Sequence, residues 1–158
     1  MADTPIRKWD RKQPETLLGK VRGIRVSGVM SRDLVTVTER TTVKELHRLF
    51  EAHDYNLFPV VKGRELIGTV TKLDLLRVVS VGVNFSISRY WKTFAKDVGD
   101  IMHGAAVTLR PDDTIMTAAN NMVEFDLRSI PVVEGKRLVG IVSWNDLMEH
   151  LVLNDGDE

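Results

Sequence analysis

Two short stretches of this chain place a hydroxyl and a carboxylate three residues apart. They are Thr71 with Asp74 in Gly68-Thr-Val-Thr71-Lys-Leu-Asp74, and Ser143 with Asp146 in Gly140-Ile-Val-Ser143-Trp-Asn-Asp146. Both read G-x-x-[S/T]-x-x-D. A Ser or Thr followed three residues later by an acid is a capping box, which satisfies the free amides that open a helix. The same arrangement suits an anion, because a hydroxyl beside unpaired N–H groups lies at the positive end of a helix dipole. The carboxylate, one turn along, is placed to accept hydrogen bonds from the two hydroxyls of a ribose, and a bond to a charged acceptor contributes about 1.5–3 kcal/mol. The preceding glycine would let a ligand ring approach the backbone. On sequence alone, cap and ligand site are both open readings.

The two stretches belong to a longer repeat. Residues 29–77 recur as residues 101–149 without a gap, 72 positions on, with 14 identities in 49 aligned pairs. Many other pairs exchange like for like, such as Val43 with Ile115, Phe58 with Ile130, and Ile67 with Val139. One supersecondary unit has been written twice, and the two copies are expected to stack and share a core.

Within the first copy, residues 27–30 read as a helical turn and residues 35–37 as a brief β segment. Thr41 or Thr42 then caps a helix whose Val43, Leu46, Leu49 and Phe50 recur at the helical period. Residues 57–61 and 66–71 form a hairpin with a glycine-containing loop, and Pro59 restricts its strand to an edge or a strand start. A second helix runs from residue 72 to about 81. The unit is β-α-β-β-α, and the second copy repeats it over residues 106–109, 114–125, 129–133, 137–143 and 144–153.

The doubled unit, the h-P-V-V strand, the K-G-R or G-K-R hairpin and the G-x-x-[S/T]-x-x-D closure together resemble tandem CBS domains, the Bateman module. The resemblance implies an α/β (α+β) fold in which two β-α-β-β-α repeats pack through their sheets with pseudo-twofold symmetry. It implies CBS domains at 26–80 and 98–153; composition adds a basic leader at 1–25, a connector at 81–97 whose Phe85, Tyr90, Trp91 and Phe94 read as structured rather than as a free linker, and an acidic tail at 154–158. The resemblance further implies a non-catalytic regulatory module that binds an adenosine-containing ligand, AMP, ADP, ATP or S-adenosylmethionine, in clefts between the paired domains, within a homodimer. By position, Asp74 and Asp146 resemble ribose-binding acids. Thr71, Ser143 and Arg128 resemble phosphate-facing groups, and Thr36, Phe58, Thr69, Thr108, Ile130 and Ile141 resemble an adenine pocket. Arg128 has Asn56 as its counterpart, so the second copy's site is expected to favour phosphate more than the first's.

Composition narrows the alternatives. Zero net charge offers no global field toward nucleic acid or an anionic membrane. There is no cysteine, and the four histidines have no metal-ligand spacing, so neither thiolate nor metal chemistry is expected. No stretch approaches the ~20 apolar residues of a membrane span and no signal-peptide run opens the chain, which together point to the cytoplasm. No paired nucleophile and base and no phosphate-transfer loop supports an enzyme. The remaining competitor is a scaffold whose clefts are empty and whose helices dimerise or dock on an unidentified regulated protein.

Overall fold

The computed structural model describes residues 22–80 and 96–152. The leader up to residue 21, the connector's Phe85, Tyr90, Trp91 and Phe94, and the acidic tail lie outside the described residues.

The first copy contains α1 (Val26–Val29), α2 (Val43–Ala52), β1 (Leu57–Lys62), β2 (Glu65–Thr71) and α3 (Lys72–Ser80). A 3-10 turn (Val98–Asp100) precedes α4 (Ile115–Glu124), β3 (Ser129–Glu134), β4 (Arg137–Ser143) and α5 (Trp144–Val152). Thr42 caps α2 by accepting the Glu45 N–H at 3.1 Å, and Thr114 caps α4 by accepting the Thr117 N–H at 3.1 Å. The brief β segments expected at 35–37 and 106–109 are reduced to single parallel bridges, Val37 to Val60 and Leu109 to Val132. In the first copy the chain turns at once into a Thr38–Thr41 hydrogen-bonded turn, which leaves no length for a ladder.

The two hairpins join into one antiparallel sheet of order β1-β2-β4-β3. The joint is narrow: Glu65 pairs with Arg137, the Leu66 N–H donates to Lys136 C=O, and the Leu138 N–H donates to Arg64 C=O. These last two bonds map onto each other through the 72-residue repeat, so the join is pseudo-twofold. β1 and β3 are the outer strands, where the absent N–H of Pro59 and Pro131 leaves no ladder bond unmade. Their carbonyls face outward and accept the N–H of Val37 and of Leu109.

The expected common core is instead two cores tied by exchanged arms. Val26 and Met30, from the start of the first copy, are buried with Leu109, Ile115, Ile130 and Leu147 of the second. Val98 and Ile101, from the start of the second, are buried with Leu46, Phe58 and Val70 of the first. Each fully buried aliphatic or Phe side chain contributes about 1.5–3 kcal/mol, so each copy's hydrophobic stabilisation depends on a segment supplied by the other.

Candidate functional site

Both strand-to-helix junctions are capping boxes. The Thr71 N–H and hydroxyl donate to Asp74 Oδ2 at 2.9 and 2.6 Å, and the Asp74 N–H donates back to Thr71 Oγ1 at 3.2 Å. Ser143 and Asp146 repeat the set at 2.6, 2.7 and 3.3 Å. In both copies the hydroxyl proton is committed to the acid. A phosphate facing Thr71 or Ser143 would therefore meet an oxygen with no proton left to donate.

The glycines of the motif serve a different neighbour from the one expected. After α1 the chain crosses to β4, where Ser31 and Ile141 exchange N–H···O=C bonds of 2.9 and 3.1 Å. At the equivalent point the second copy crosses to β2, and His103 and Thr69 exchange bonds of 2.9 and 2.8 Å. A Cβ on Gly68 would stand 2.5 Å from the His103 carbonyl oxygen, and one on Gly140 would stand 2.5 Å from the Met30 sulfur. The room goes to the crossing arms, not to a ligand ring.

Around Asp146 these crossings leave a cavity of about 270 Å³, close to the lower end of small-molecule sites at about 300–1,000 Å³. Its walls come from both copies: Asp33, Asp54, Tyr55 and Asn56 from the first, Ile141 and Asp146 from the second, with Ser143 beside them. Asp146 Oδ2 is engaged by Ser143, whereas Oδ1 has no hydrogen bond from the described residues. Among the described residues the lining includes three aspartates and no Lys, Arg or His. Lys72 reaches Asp54 at 3.7 Å from outside the lining set.

Asp74 is in a different situation. Its side chain is only 5% exposed, and Oδ1 lies 2.9 Å from His103 Nε2 and 3.4 Å from an Arg77 guanidinium nitrogen. A cavity of about 280 Å³ reaches it between α3 and the Val98–Asp100 turn, but Thr69, Thr71 and Pro131 are absent from its lining, so it is not the counterpart of the Asp146 cavity.

The other expected site residues are dispersed. Ile141 lines the Asp146 cavity. Phe58 and Ile130 are wholly buried in the two cores, while their neighbours Leu57 and Ser129 line the cavity. Successive residues of a strand face opposite sides, so one position decides between core and cleft. Thr36 is exposed, and Thr108 lines a separate cavity of about 200 Å³ beside Leu66 and Gly135. Thr69 is bridged through its backbone to His103. Arg128 is not among the residues lining the Asp146 cavity, whose wall carries Asn56; its guanidinium lies 5.0 Å from the ring centroid of the exposed Trp144. Among the described residues no group of three or more His, Cys, Asp or Glu is placed to hold a metal, and no helix is long and apolar enough to cross a membrane.

Sequence reading missed His103, Asp33 and Asp54. The repeat itself held one signal, since His103 aligns with Ser31 and so marks an asymmetry between the copies.

Comparison with known proteins follows the same division. Residues 26–81 and 98–153 each match the family model described as CBS domain. The chain is 32% identical over 124 residues to an inosine-5'-monophosphate dehydrogenase of Korarchaeum cryptofilum (strain OPF8), a match covering 78% of this chain and 23% of that protein. It is 27% identical over 131 residues to the CBS domain-containing protein YhcV of Bacillus subtilis (strain 168), covering 82% of this chain and 87% of YhcV. Among solved structures, CBSX2 in complex with AMP superposes with a TM-score of 0.74 at 25% identity, over 85% of this chain and 100% of that one.

Proposed function

Because the chain belongs to the CBS-domain family, we propose that it is a non-catalytic regulatory module that senses an adenosine-containing ligand in the cytoplasm. One observation carries the reading: Asp146, fixed by Ser143, presents a carboxylate oxygen that no described residue engages in a cavity walled by both copies. A ribose offers two adjacent hydroxyl donors to such an acceptor. The AMP complex of the similar CBSX2 supports an adenosine ligand; AMP, ADP, ATP and S-adenosylmethionine are the candidates. Ile141 and Leu57 supply apolar wall for the base, and Asn56 and Tyr55 supply polar groups at the cavity's first-copy side.

Occupancy is signalled through the same geometry. A ligand touching Asn56 and Asp146 together bridges the two copies, whose sheets are otherwise joined by a narrow ladder, and so favours one arrangement of the pair. The module acts as a homodimer. Leu73 and Leu76 on α3 and Met148 on α5, each more than half exposed, are the apolar positions available to a second copy. The state of that dimer is what a regulated protein would read.

Thermal unfolding in the presence of AMP, ADP, ATP, S-adenosylmethionine and adenosine tests the reading. A ligand at about 100 times its dissociation constant adds about 2.7 kcal/mol, and at roughly 2–4 °C per kcal/mol the midpoint rises by several degrees. No shift with any of the five would leave only the docking role.

A further inference from the structure

We infer that His103 closes the first copy's acid, so that each chain takes one adenosine-type ligand, at Asp146. The inference rests on the function proposed above and assigns its stoichiometry.

The repeat supplies an internal control. Thr71 with Asp74 and Ser143 with Asp146 form the same three hydrogen bonds, so the boxes themselves do not separate the sites. Two flanking positions do. His103 stands where the other copy has Ser31, and Arg77 stands where it has Glu149. A carboxylate offers about four lone-pair sites. At Asp74 two are taken by the Thr71 N–H and hydroxyl on Oδ2, and two by His103 and Arg77 on Oδ1. At Asp146 the described residues take only the Oδ2 pair. A ribose hydroxyl arriving at Asp74 must displace a bond the protein already makes, whereas at Asp146 it finds a free acceptor.

The backbone explains why His103 reaches its target. Its reciprocal bonds to Thr69 hold it against the end of β2, from where the imidazole extends to the acid on the first turn of α3. Ser31 is bonded to Ile141 in the same way, but its side chain makes no hydrogen bond to Asp146. Since these backbone bonds do not involve the side chain, exchanging residues at 31 and 103 leaves the crossings in place.

Isothermal titration with adenosine, and separately with AMP, reads the stoichiometry. Wild type is expected to bind one ligand per chain, His103→Ser two, and His103→Ser with Asp74→Asn one again. Ser31→His, which places an imidazole beside Asp146, is expected to weaken the single wild-type site by about tenfold or more, the loss of one charge-assisted bond. This arm stands even if His103→Ser fails to fold. Two ligands per wild-type chain, one per His103→Ser chain, or full affinity in Ser31→His overturns the inference while leaving the proposed function intact. Absence of binding by wild type and every variant, with both titrants, overturns the proposed function and this inference with it.

Discussion

Ser143 and Asp146 hold each other through three hydrogen bonds, and these direct one carboxylate oxygen to the Ser143 N–H and hydroxyl while the other, in the cavity, is engaged by none of the described residues. The acid therefore has two separable tasks. Asp146→Asn keeps an oxygen that can accept the Ser143 N–H but removes the charge, so it is expected to fold and to lose adenosine affinity by about 10- to 150-fold. Ser143→Ala removes the cap's hydroxyl and is expected to cost about 0.5–2 kcal/mol of stability. Paired urea unfolding and calorimetric titration separate the two effects. Unchanged affinity in Asp146→Asn would reduce the acid to a cap.

The crossing arms predict unequal costs at the two motif glycines. A methyl at Gly68 meets backbone, the His103 carbonyl oxygen at 2.5 Å, and a backbone already bonded to Thr69 has little freedom to retreat. A methyl at Gly140 meets first the Met30 side chain at 2.5 Å, which has rotamers to exchange, although the Ser31 carbonyl oxygen at 3.2 Å limits the relief. Overpacking of this kind costs about 1–3 kcal/mol. Gly68→Ala is expected toward or above the upper end and Gly140→Ala toward the lower, as differences in urea midpoint at equal slope. Equal costs would mean that the arm at His103 gives way as readily as the Met30 side chain.

Most of this architecture was legible in the residues, and the exceptions have physical causes. The 72-residue register located both hairpins and the helices because turn chemistry and helical period are local. It could not show that α1 packs into the second copy's core, since arm exchange leaves each copy's apolar pattern unchanged. Nor could it choose between Leu57 and Phe58 as cavity wall. Residues 57–61 are all buried, so the period-two alternation that reveals a strand's faces is missing. His103 escaped notice for a similar reason: its acid is 29 residues away and is reached only through a crossing that no local pattern announces.

The second arm carries a pH-dependent anchor. Asp100 accepts the Lys96 N–H at 2.8 Å and the Asp97 N–H at 3.2 Å. These amides, with Lys96 the larger cause, hold its carboxyl below the ordinary value of 3.8. A carboxylate whose folded pKa is depressed contributes stability that is present above its unfolded value and lost as pH falls through the folded one. Asp100→Asn is therefore expected to be less stable than wild type above about pH 4, with the gap closing as the pH falls below it. Urea midpoints of both proteins between pH 2 and 7 check this. A gap that widens on acidification would show that the amide bonds do not favour the charged form.

The wall of the Asp146 cavity predicts its taste for phosphate. Asp33 and Asp54 stand with Asp146, among the described residues no Lys or Arg lines the cavity, Lys72 reaching Asp54 only from outside it, and the Ser143 hydroxyl proton is already directed to the acid. Arg128, the cation expected to attract phosphate there, is stacked on Trp144. Each added phosphate brings negative charge toward carboxylates, and at short range like charges at a protein surface repel by a few kcal/mol before screening. Affinity is therefore expected to fall from adenosine to AMP to ATP, and the penalty on ATP to shrink as salt is raised. Asp33→Asn with Asp54→Asn should narrow the gap between adenosine and ATP without changing how the ribose is held. Competition titrations at two ionic strengths measure it. ATP binding more tightly than adenosine in wild type would show that another cation, Arg128 or Lys72, turns into the cavity when the ligand arrives.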